Sequence, residues 1–344
     1  MKIALDATYS VGENRTGVGV YSREILDALA ALRPETAFLW CYRPRRWFGS
    51  LGSPHPPNCY RRLLWETRAV GADLFHGLNQ RAPAARCRRS VTTFHDLFVL
   101  TGDYSTPEFR ARFAARARDA AARSDLIIAV SQFTGGEVER LLGVERGRLR
   151  VIPHGVRLPS LTGELPRRKI ILTVGAVQRR KNTVRVVEAF ERLPEDWRLV
   201  IAGSFGYGGE AIRTRIDSSP RRDAIETRGY VSAAELERLY RTASVFAFPS
   251  LDEGFGMPVL EAMAHGLPVV TSNRSALPEV AGDAALGVDP ENVDEIAAAL
   301  RRLIEEPPLA AELIRRGRER AGRFQWQDAA AKTWAVYREL LDAC

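Results

Sequence analysis

The stretch Asp252–Ala264 (DEGFGMPVLEAMA) combines acids, glycines and a proline directly after an apolar run. The glycines suit a sharp turn, and a proline is well tolerated at the first position of a helix. Free N–H groups and the dipole at the start of such a helix favour an anion such as a phosphate. Glu253 precedes this helix and Glu261 lies about one turn into it. A carboxylate beside a bound phosphate is costly unless it accepts hydrogen bonds, and sugar or ribose hydroxyls could donate them. We expect a site for a phosphate and a hydroxyl-bearing group here; the alternative is an ordinary strand–helix turn with a solvated acid.

Cations follow a second apolar run in Leu172–Asn182 (LTVGAVQRRKN). Gly175 comes after the strand, and Arg179, Arg180 and Lys181 fill the loop before the next helix. Arginine offers a planar fork of donors and lysine a compact charge, which together suit a diphosphate bound without a metal ion. A basic run of this kind also occurs on solvated surfaces.

Two weaker candidates lie in the first half of the chain. Asn14–Tyr21 (NRTGVGVY) places Gly17 and Gly19 between a strand and a helix, but it falls short of the G-x-G-x-x-G pattern. These glycines could line a phosphate or an acceptor, or form a flexible loop. Thr93–Leu97 (TFHDL) puts His95 at the expected end of a strand, where it either bonds a substrate hydroxyl or is satisfied by a backbone group.

A glycosidase acid pair is a further interpretation of Glu253 and Glu261. Retaining hydrolases hold their two carboxyl groups roughly 5–5.5 Å apart. Eight helical residues span about 12 Å along the helix axis. The spacing and the neighbouring phosphate site favour the binding of a nucleotide sugar instead.

Alternating strands and helices must position these groups. Several apolar runs are continuous, which is typical of strands covered on both faces in a parallel sheet. In the first half the expected strands are Lys2–Ala7, Phe38–Tyr42, Asp73–His76, Val91–Asp96, Leu126–Ser131 and Leu149–Pro153, and the clearest helices are Tyr21–Leu32 and Pro107–Arg123. In the second half the expected strands are Ile170–Val174, Arg198–Ala202, Ser244–Pro249 and Leu267–Ser272, and the helices are Thr183–Arg192, Ala233–Ala243, Pro258–His265 and Val293–Glu305.

Repeated strand–helix units predict an α/β protein with two Rossmann-like domains that face each other across a cleft. The polar segment Leu161–Arg168 is the expected linker. The first domain then covers residues 1–160 and the second residues 168–325. An amphipathic helix at about 326–344 is expected to pack back onto the first domain.

Composition narrows the function classes further. The 344 residues include 50 Lys and Arg against 42 Asp and Glu, a net charge of +8 with pI ≈ 9.6, which favours anionic partners. No apolar run reaches the roughly 18–20 residues of a membrane-spanning helix. Cys41, Cys59, Cys87 and Cys344 form neither a metal-binding spacing nor a disulfide framework, so the expected location is the cytoplasm. The arginines are scattered and no nucleic-acid-binding module is visible, so nucleic acid is not an expected partner.

Together these residues resemble the E-x7-E signature of retaining, GT-B-fold glycosyltransferases, in particular glycosyltransferase family 4. Glu253 and Glu261 are separated by seven residues, and the resemblance extends over nearly the whole chain. Supporting segments in the family's order are RTGVGVY at 15–21, TFHDL at 93–97, AVSQFT at 129–134, VIPHGV at 151–156, VGAVQRRKN at 174–182, RGYVS at 228–232 and SALPEVAGDAAL at 275–286. Within the family the chain looks most like bacterial mannosyltransferases that build cell-surface polysaccharides from GDP-mannose.

The resemblance implies a role for each matching residue. Arg180 and Lys181 match the pair that grips the donor diphosphate. Glu253 matches the acid at the donor-sugar hydroxyls and Glu261 the acid at the ribose, while His95 matches a histidine near the transferred sugar. The remaining residues match donor-binding segments: Gly17, Gly19, Gly175, Tyr230, Val231, Gly254, Phe255, Gly256, Met257 and Leu260. One departure is His154, which stands where many relatives have Asn.

The implied reaction transfers a hexose from a nucleotide-diphosphate sugar to an acceptor hydroxyl, with retention at the anomeric carbon. GDP-mannose is favoured over a UDP-sugar as the donor. No D-x-D metal motif lies in a suitable loop, so we expect neither a metal nor another cofactor. The alternatives are a UDP-sugar-dependent enzyme of this family, an epimerase or phosphorylase-like enzyme, and a noncatalytic module that binds sugar nucleotides.

The acceptor is expected to be a glycan or a lipid-linked glycan. Two basic segments of the first half, Arg43–Arg46 (RPRR) and Arg86–Arg89 (RCRR), would attract an anionic lipid carrier or membrane surface. A peripheral position at the inner face of the cell membrane would follow. Solvated loops are the alternative for both segments.

Overall fold

A computed structural model describes residues 1–12, 17–85, 87–159 and 165–342. The chain forms two compact units, Met1–Gly155 together with Phe324–Cys344, and Val156–Arg323. The first unit therefore ends at Gly155, before the expected linker, of which residues 161–164 lie outside the described ranges. The chain returns to the first unit at Phe324 for its last helix.

The first unit is built on a seven-stranded, fully parallel sheet in the order β3-β2-β1-β4-β5-β6-β7. Its strands are β1 (Lys2–Asp6), β2 (Ala37–Tyr42), β3 (Cys59–Leu63), β4 (Leu74–Gly77), β5 (Ser90–Phe94), β6 (Leu126–Ala129) and β7 (Leu149–Val151). Strand order reverses direction between β1 and β4, because the chain first adds strands on one side of β1 and then on the other. Ligands of open α/β sheets bind beside such a reversal, at the carboxyl ends of the strands.

Helices cover both faces of this sheet. They are α1 (Gly17–Leu32), α2 (Pro44–Leu51), α3 (Phe98–Thr101), α4 (Pro107–Arg123), α5 (Gln132–Leu142) and, from the end of the chain, α13 (Trp326–Asp342). Helix α13 packs beside α1: the Trp334 ring meets Phe38 at 6.4 Å, and the Arg33 guanidinium lies 5.0 Å from the Trp334 ring. The other face is covered by α4 and α5, around Phe94, Ala120 and Val138.

The second unit repeats the plan with six parallel strands in the order β10-β9-β8-β11-β12-β13. They are β8 (Ile170–Val174), β9 (Arg198–Ala202), β10 (Ile225–Gly229), β11 (Val245–Phe248), β12 (Val269–Ser272) and β13 (Leu286–Val288). The helices are α6 (Thr183–Phe190), α7 (Gly209–Asp217), α8 (Ala233–Thr242), α9 (Met257–Ala264), α10 (Leu277–Ala281), α11 (Val293–Glu305) and α12 (Pro307–Gly322). Its core joins sheet residues such as Leu199 and Ile201 to Phe190 and Leu300.

The prediction of two parallel-sheet α/β domains is confirmed, and the strands that it does not include share a physical cause. The strands β3, β10 and β13 were not expected from the apolar runs, and each is an edge strand of its sheet. An edge strand has one neighbour and exposed faces, so it accepts charged residues such as those of CYRRL and IETRG. A search for continuous apolar runs therefore finds the central strands but misses these three edge strands, whereas the edge strand β7 is indicated by the run Leu149–Pro153. No helix of the described residues is both long and apolar enough to cross a bilayer.

Candidate functional site

The second unit gathers most of the expected site residues at the carboxyl edge of its sheet. Strands β8 and β11 are hydrogen-bonded neighbours, and strand order reverses between them. The loop after β8 carries the cations and the loop after β11 carries the acids. The sequence thus places opposite charges on the two sides of the reversal, where a ligand of an open α/β sheet binds.

The cation loop is fixed by contacts to its neighbours. Arg179–Lys181 forms one turn of 3-10 helix, and the Arg180 side chain is 7% exposed. An Arg180 Nη1 atom donates to the backbone oxygen of Asp252. At the end of the turn, Asn182 adopts a left-handed backbone with φ 58° and donates through Nδ2 to the carbonyls of Pro249 (2.9 Å) and Pro290 (2.6 Å). Asn182 therefore ties the loop after β8 to the end of β11.

Gly175 makes room for the lysine of this loop. Its φ is +133°, and a Cβ at this position would lie 3.3 Å from Cε of Lys181. The aliphatic part of Lys181 passes over this glycine, and its ammonium nitrogen lies 4.6 Å from the centre of the Phe248 ring. The strand–Gly–cation pattern thus reflects a close approach of the lysine to the backbone.

Glu253 is the acid to which both cations bind. Its Oε2 atom lies 2.9 Å from Arg180 Nη1, its Oε1 atom accepts from Lys181 Nζ, and the residue is 6% exposed. Burial alone would raise the pKa of Glu253, but the charges of Arg180 and Lys181 outweigh it and lower that pKa to about 2. Two cations and one anion therefore leave a net charge of about +1 on three largely buried side chains.

Ser275 holds the backbone of Glu253 from the next loop. The Glu253 N–H donates to Ser275 Oγ at 3.0 Å, and the N–H of Ala276 donates to the Glu253 carbonyl at 3.2 Å. In the described part of the chain, Ser275 (φ 56°) and Asn182 (φ 58°) are the non-glycine residues with a positive φ. Such strained backbones concentrate at functional sites, and both of these support the same charge cluster.

Helix α9 starts beside the cluster. Gly256 precedes it with φ +100°, and Pro258 occupies its first turn. A Cβ on Gly256 would approach Cδ2 of Leu277 to 2.5 Å, so the backbone angle favours glycine and a larger residue would have to displace the Leu277 side chain. The buried residues Gly254 and Phe255 complete the turn, and the first N–H groups of α9 point to the carboxyl edge. Leu260 is fully buried in the core, so its expected part in donor binding would have to involve its backbone and not its side chain.

Glu261 lies one turn further along α9 in a different environment. Its Oε2 atom accepts a hydrogen bond of 2.9 Å from the hydroxyl of Tyr240 on α8. Burial raises the pKa of Glu261, and the Tyr240 hydrogen bond offsets only part of that rise. Within the described ranges, Glu261 has no ion pair comparable with those that Glu253 makes to Arg180 and Lys181.

The segment Tyr230–Val231 follows β10, which is the edge strand at one side of the second sheet. Tyr230 directly follows β10, after Gly229, whose φ is +63°. The Tyr230 side chain is 45% exposed, and Val231 is partly buried. Both residues lie at the same carboxyl edge as the charge cluster, because every strand of this sheet is parallel.

In the first unit, His95 follows β5 and is almost entirely buried. Its Nε2 atom donates to the Leu78 carbonyl at 2.8 Å, so the neutral ring accepts through Nδ1, which lies 3.4 Å from Nε2 of His154. The ring of Tyr21 packs edge-on against His95 at 4.6 Å. Burial lowers the pKa of His95 to about 4. The imidazole is thus neutral and satisfied by its own unit, which agrees with the backbone-satisfied alternative.

The two glycines of the first unit lie in a helix. Gly17 is the first residue of α1 and Gly19 is buried in its first turn, whereas the expected loop ahead of them, residues 14–16, lies outside the described residues. Both glycines are therefore part of a helix N-terminus.

Local sequence patterns do not reveal Tyr240, Ser275 and Asn182 as supporting residues. Tyr240 occupies a buried position of an amphipathic helix and is indistinguishable from a core residue by pattern. Asn182 directly follows the basic run, and the expected start of a helix at this point is the sequence signal that could indicate its structural role. Ser275 lies in the segment SALPEVAGDAAL, but nothing in its type indicates a contact with Glu253.

Comparisons with known proteins match both halves of the chain to family models. Residues 162–320 match the family model of the group 1 glycosyl transferases, and residues 16–158 match that of glycosyltransferase family 4. The chain is 32% identical over 297 residues to O-antigen chain mannosyltransferase B of Escherichia coli, which covers 81% of this chain and 78% of that protein. It is 34% identical over 225 residues to the MMP alpha-(1->4)-mannosyltransferase of Mycolicibacterium hassiacum, which covers 62% of this chain but only 54% of that protein.

Solved structures share the fold. Sucrose-phosphate synthase from Thermosynechococcus elongatus superposes with a TM-score of 0.80 at 23% identity and covers 100% of both chains. The Anabaena protein HepE, solved in complex with UDP and glucose, gives a TM-score of 0.72 at 15% identity and covers 98% of each chain. The family models and the E. coli relative together assign the chain: it belongs to the group 1, family 4 glycosyltransferases and has their GT-B fold.

Proposed function

We propose that this glycosyltransferase moves a hexose from a nucleotide-diphosphate sugar to an acceptor hydroxyl with retention at the anomeric carbon, in glycan or cell-surface polysaccharide biosynthesis. The observation that carries the proposal is the net-positive cluster of Arg180, Lys181 and Glu253 beside the start of α9. The two relatives described above are named mannosyltransferases, which favours mannose, and GDP-mannose is the donor that we propose. A UDP-sugar is the alternative donor.

The cluster is suited to the leaving group of this reaction. As the bond between the anomeric carbon and the phosphate oxygen breaks, negative charge grows on the diphosphate. Arg180 and Lys181 are already fixed by Glu253 and by the neighbouring loops, so they stabilise this charge without reorganising. We infer that two fixed cations and the N–H groups of α9 supply the charge stabilisation, so that transfer needs no divalent metal.

The other residues of the second unit fit the rest of the donor. We infer that Glu253 and the backbone of Gly254–Met257 contact the sugar hydroxyls, and that Glu261 accepts from the ribose. Tyr230 and Val231 lie at the same edge and would meet the base. The departing phosphate oxygen would help to deprotonate the acceptor hydroxyl on the same face of the sugar.

The first unit would supply the groups near the transferred sugar. His95 enters the proposal as a neutral ring, since its pKa is lowered to about 4 and both its nitrogens have partners within the unit. These hydrogen bonds argue against His95 as the base that deprotonates the acceptor. Gly17 and Gly19 are proposed to bring the start of α1 towards phosphate or acceptor.

The experiment is a donor panel with the purified protein. GDP-mannose, UDP-glucose and UDP-N-acetylglucosamine are each incubated with a synthetic mannoside acceptor, with and without EDTA, and the anomeric configuration of the product is read by proton NMR. We expect an α-linked mannosyl product from GDP-mannose that EDTA does not suppress. Transfer from a UDP-sugar alone would establish the alternative donor, and a β-linked product would contradict retention. Donor binding with no transfer to any acceptor would favour a noncatalytic module.

A peripheral membrane contact belongs to the same proposal, and we propose helix α2 as its surface. Of the first basic segment, Arg43 is buried in ion pairs with Asp6 and Glu66, whereas Arg45 and Arg46 are exposed on α2 beside Phe48, which is 80% exposed. Exposed aromatic and basic groups on one short helix suit an anionic lipid surface.

The second basic segment contributes less to such a surface. Arg88 lies 3.8 Å from Asp73, Arg89 lies 4.0 Å from Asp125, and Arg86 lies outside the described residues.

Because Phe48 is the exposed aromatic group of α2, we expect the variant Phe48→Ser to float less with vesicles that contain phosphatidylglycerol. Flotation that is equal with neutral vesicles would contradict the proposed contact.

A further inference from the structure

Tyr240 occupies a fixed position between a strand and a helix of the second unit. It lies on α8, is 2% exposed, and its ring stacks on His265 at 5.1 Å with an interplanar angle of 22°. On the strand side, Phe246 of β11 lies 5.8 Å away. His265 in turn is held at the end of α9, where its Nδ1 lies 2.7 Å from the Glu261 carbonyl. The aromatic ring therefore has little freedom to rotate or withdraw.

The Tyr240 hydroxyl donates to Oε2 of Glu261 at 2.9 Å. Among the residues that the structure describes, no other group donates to this carboxylate, so Oε1 retains its acceptor capacity. Burial and the neighbouring Glu261 charge raise the pKa of Tyr240, so the phenol remains a donor throughout the physiological range. Glu253 differs from Glu261 in this respect, because both carboxylate oxygens of Glu253 already bind cations.

We propose that Tyr240 is a positioning residue for the nucleotide: it orients the Glu261 carboxylate so that its remaining oxygen accepts from the ribose hydroxyls. This inference rests on the proposed function, in which Glu261 binds the ribose. Tyr240 itself does not touch the ligand. Its effect on affinity is therefore confined to ligands that carry ribose hydroxyls, which separates positioning from a general contribution to the fold.

The test compares Tyr240→Phe with the original chain by calorimetric titration. The ligands are GDP and 2′,3′-dideoxy-GDP, with UDP and its dideoxy analogue in parallel. We expect the variant to bind the ribonucleotide about tenfold more weakly, because a hydrogen bond to a charged group is lost. Binding of the dideoxy nucleotide should change less than twofold. The matched control is Tyr337→Phe, which removes a buried tyrosine hydroxyl from His76 in the first unit and should leave both affinities unchanged.

A pH series provides a readout that a purely structural role would not affect. Loss of the Tyr240 hydrogen bond removes an influence that lowers the pKa of Glu261. Ribonucleotide affinity of Tyr240→Phe should therefore decline at a higher pH than that of the original chain, as Glu261 becomes protonated. In a Glu261→Ala background, adding Tyr240→Phe should weaken ribonucleotide binding no further.

The outcomes are distinct. Equal weakening of ribonucleotide and dideoxynucleotide binding, or no change in either, would overturn the positioning role of Tyr240. A further loss in the Glu261→Ala background would also contradict it. If the original chain bound neither GDP nor UDP, the proposed function itself would fail, and that result comes from the unmodified protein alone.

Discussion

Glu253 and Glu261 lie on the same loop and helix, yet their surroundings give their carboxyl groups opposite ionisation tendencies. Burial opposes ionisation of both. At Glu253 two cations reverse that effect and lower its pKa to about 2, whereas at Glu261 one phenol leaves the pKa raised. Glu253 is thus a permanent anion that fixes Arg180 and Lys181. Glu261 accepts hydrogen bonds fully only when the pH is high enough to ionise it.

Among single residues, Lys181 offers the most direct test of the proposed stabilisation of the leaving group. We expect Lys181→Ala to lower kcat/KM roughly 100- to 1,000-fold, the loss typical of one preorganised donor to developing charge. Because Glu253 keeps its partner Arg180, the fold should survive the change. Steady-state kinetics with the donor identified by the panel would measure the effect.

Lys169→Ala is the matched control for this prediction. Lys169 lies in the same unit, its side chain is 62% exposed, and its carboxylate partner is Asp196 at the surface. Its removal should leave turnover within about twofold, since exposed ion pairs contribute little. Near-normal turnover in Lys181→Ala would contradict the role assigned to the cation loop.

The sequence could predict the charged members of this site but not their support. Arg180, Lys181, Glu253 and Glu261 follow expected strands, and parallel strands bring their ends to one edge. Tyr240 reaches Glu261 from 21 residues away, and Ser275 reaches Glu253 from 22 residues away. Such contacts depend on how the following elements pack, which local patterns do not encode. For the same reason the sequence left His95 open between a substrate contact and a backbone contact.

At the scale of elements, the start of α9 depends on the geometry of Gly256. An alanine there would be strained at φ +100° and its Cβ would meet Cδ2 of Leu277 at 2.5 Å. We expect Gly256→Ala to lower the free energy of unfolding by about 1–3 kcal/mol, the usual cost of a strained backbone angle. The same change should weaken nucleotide binding, because it displaces the first N–H groups of the helix. Denaturant unfolding and calorimetric titration would measure the two effects.

Gly136→Ala provides the control for that substitution. Gly136 is exposed within α5, and apart from its chain neighbours and the backbone of its own helix, no atom lies within 4 Å of its added Cβ. Alanine at a helical position is favoured over glycine by roughly 0.5–1 kcal/mol, so this variant should be slightly more stable. Gly256→Ala with unchanged stability and unchanged nucleotide affinity would show that the left-handed turn is dispensable.

At the scale of the whole molecule, two units with the same strand plan place different chemistry at their carboxyl edges. The second unit presents fixed charges at the reversal between β8 and β11. The first unit instead contains buried imidazoles, with His76 bonded to Tyr337 and Thr93, and His95 bonded to Leu78 and near His154. The second unit therefore carries a charge cluster of Arg180, Lys181 and Glu253 that stays ionised in mild acid, whereas the first unit carries neutral buried imidazoles that mild acid would disturb.

That difference predicts which unit unfolds first in acid. Burial lowers the pKa of His95 to about 4 and of His76 to about 3, from an ordinary 6.5. Below pH 6.5 the unfolded chain thus binds more protons than the folded chain, so stability is lost as the pH falls from about 6.5 towards the folded values. At pH 5 each of these histidines should lower the stability of the first unit by about 2 kcal/mol relative to pH 7.5.

Hydrogen exchange read by mass spectrometry at pH 7.5 and pH 5, corrected for the intrinsic exchange rates, would locate this loss. Protection should fall more in β4, β5 and α13 than in β8 and β11, because Glu253 stays ionised well below pH 5 and His265, whose pKa burial also lowers, is only partly buried. His154→Asn should reduce the pH dependence by about one proton, since burial also keeps the His154 pKa well below 6.5. An equal loss of protection in both units, or an unaltered pH dependence in His154→Asn, would show that the buried imidazoles do not set the acid stability of the first unit.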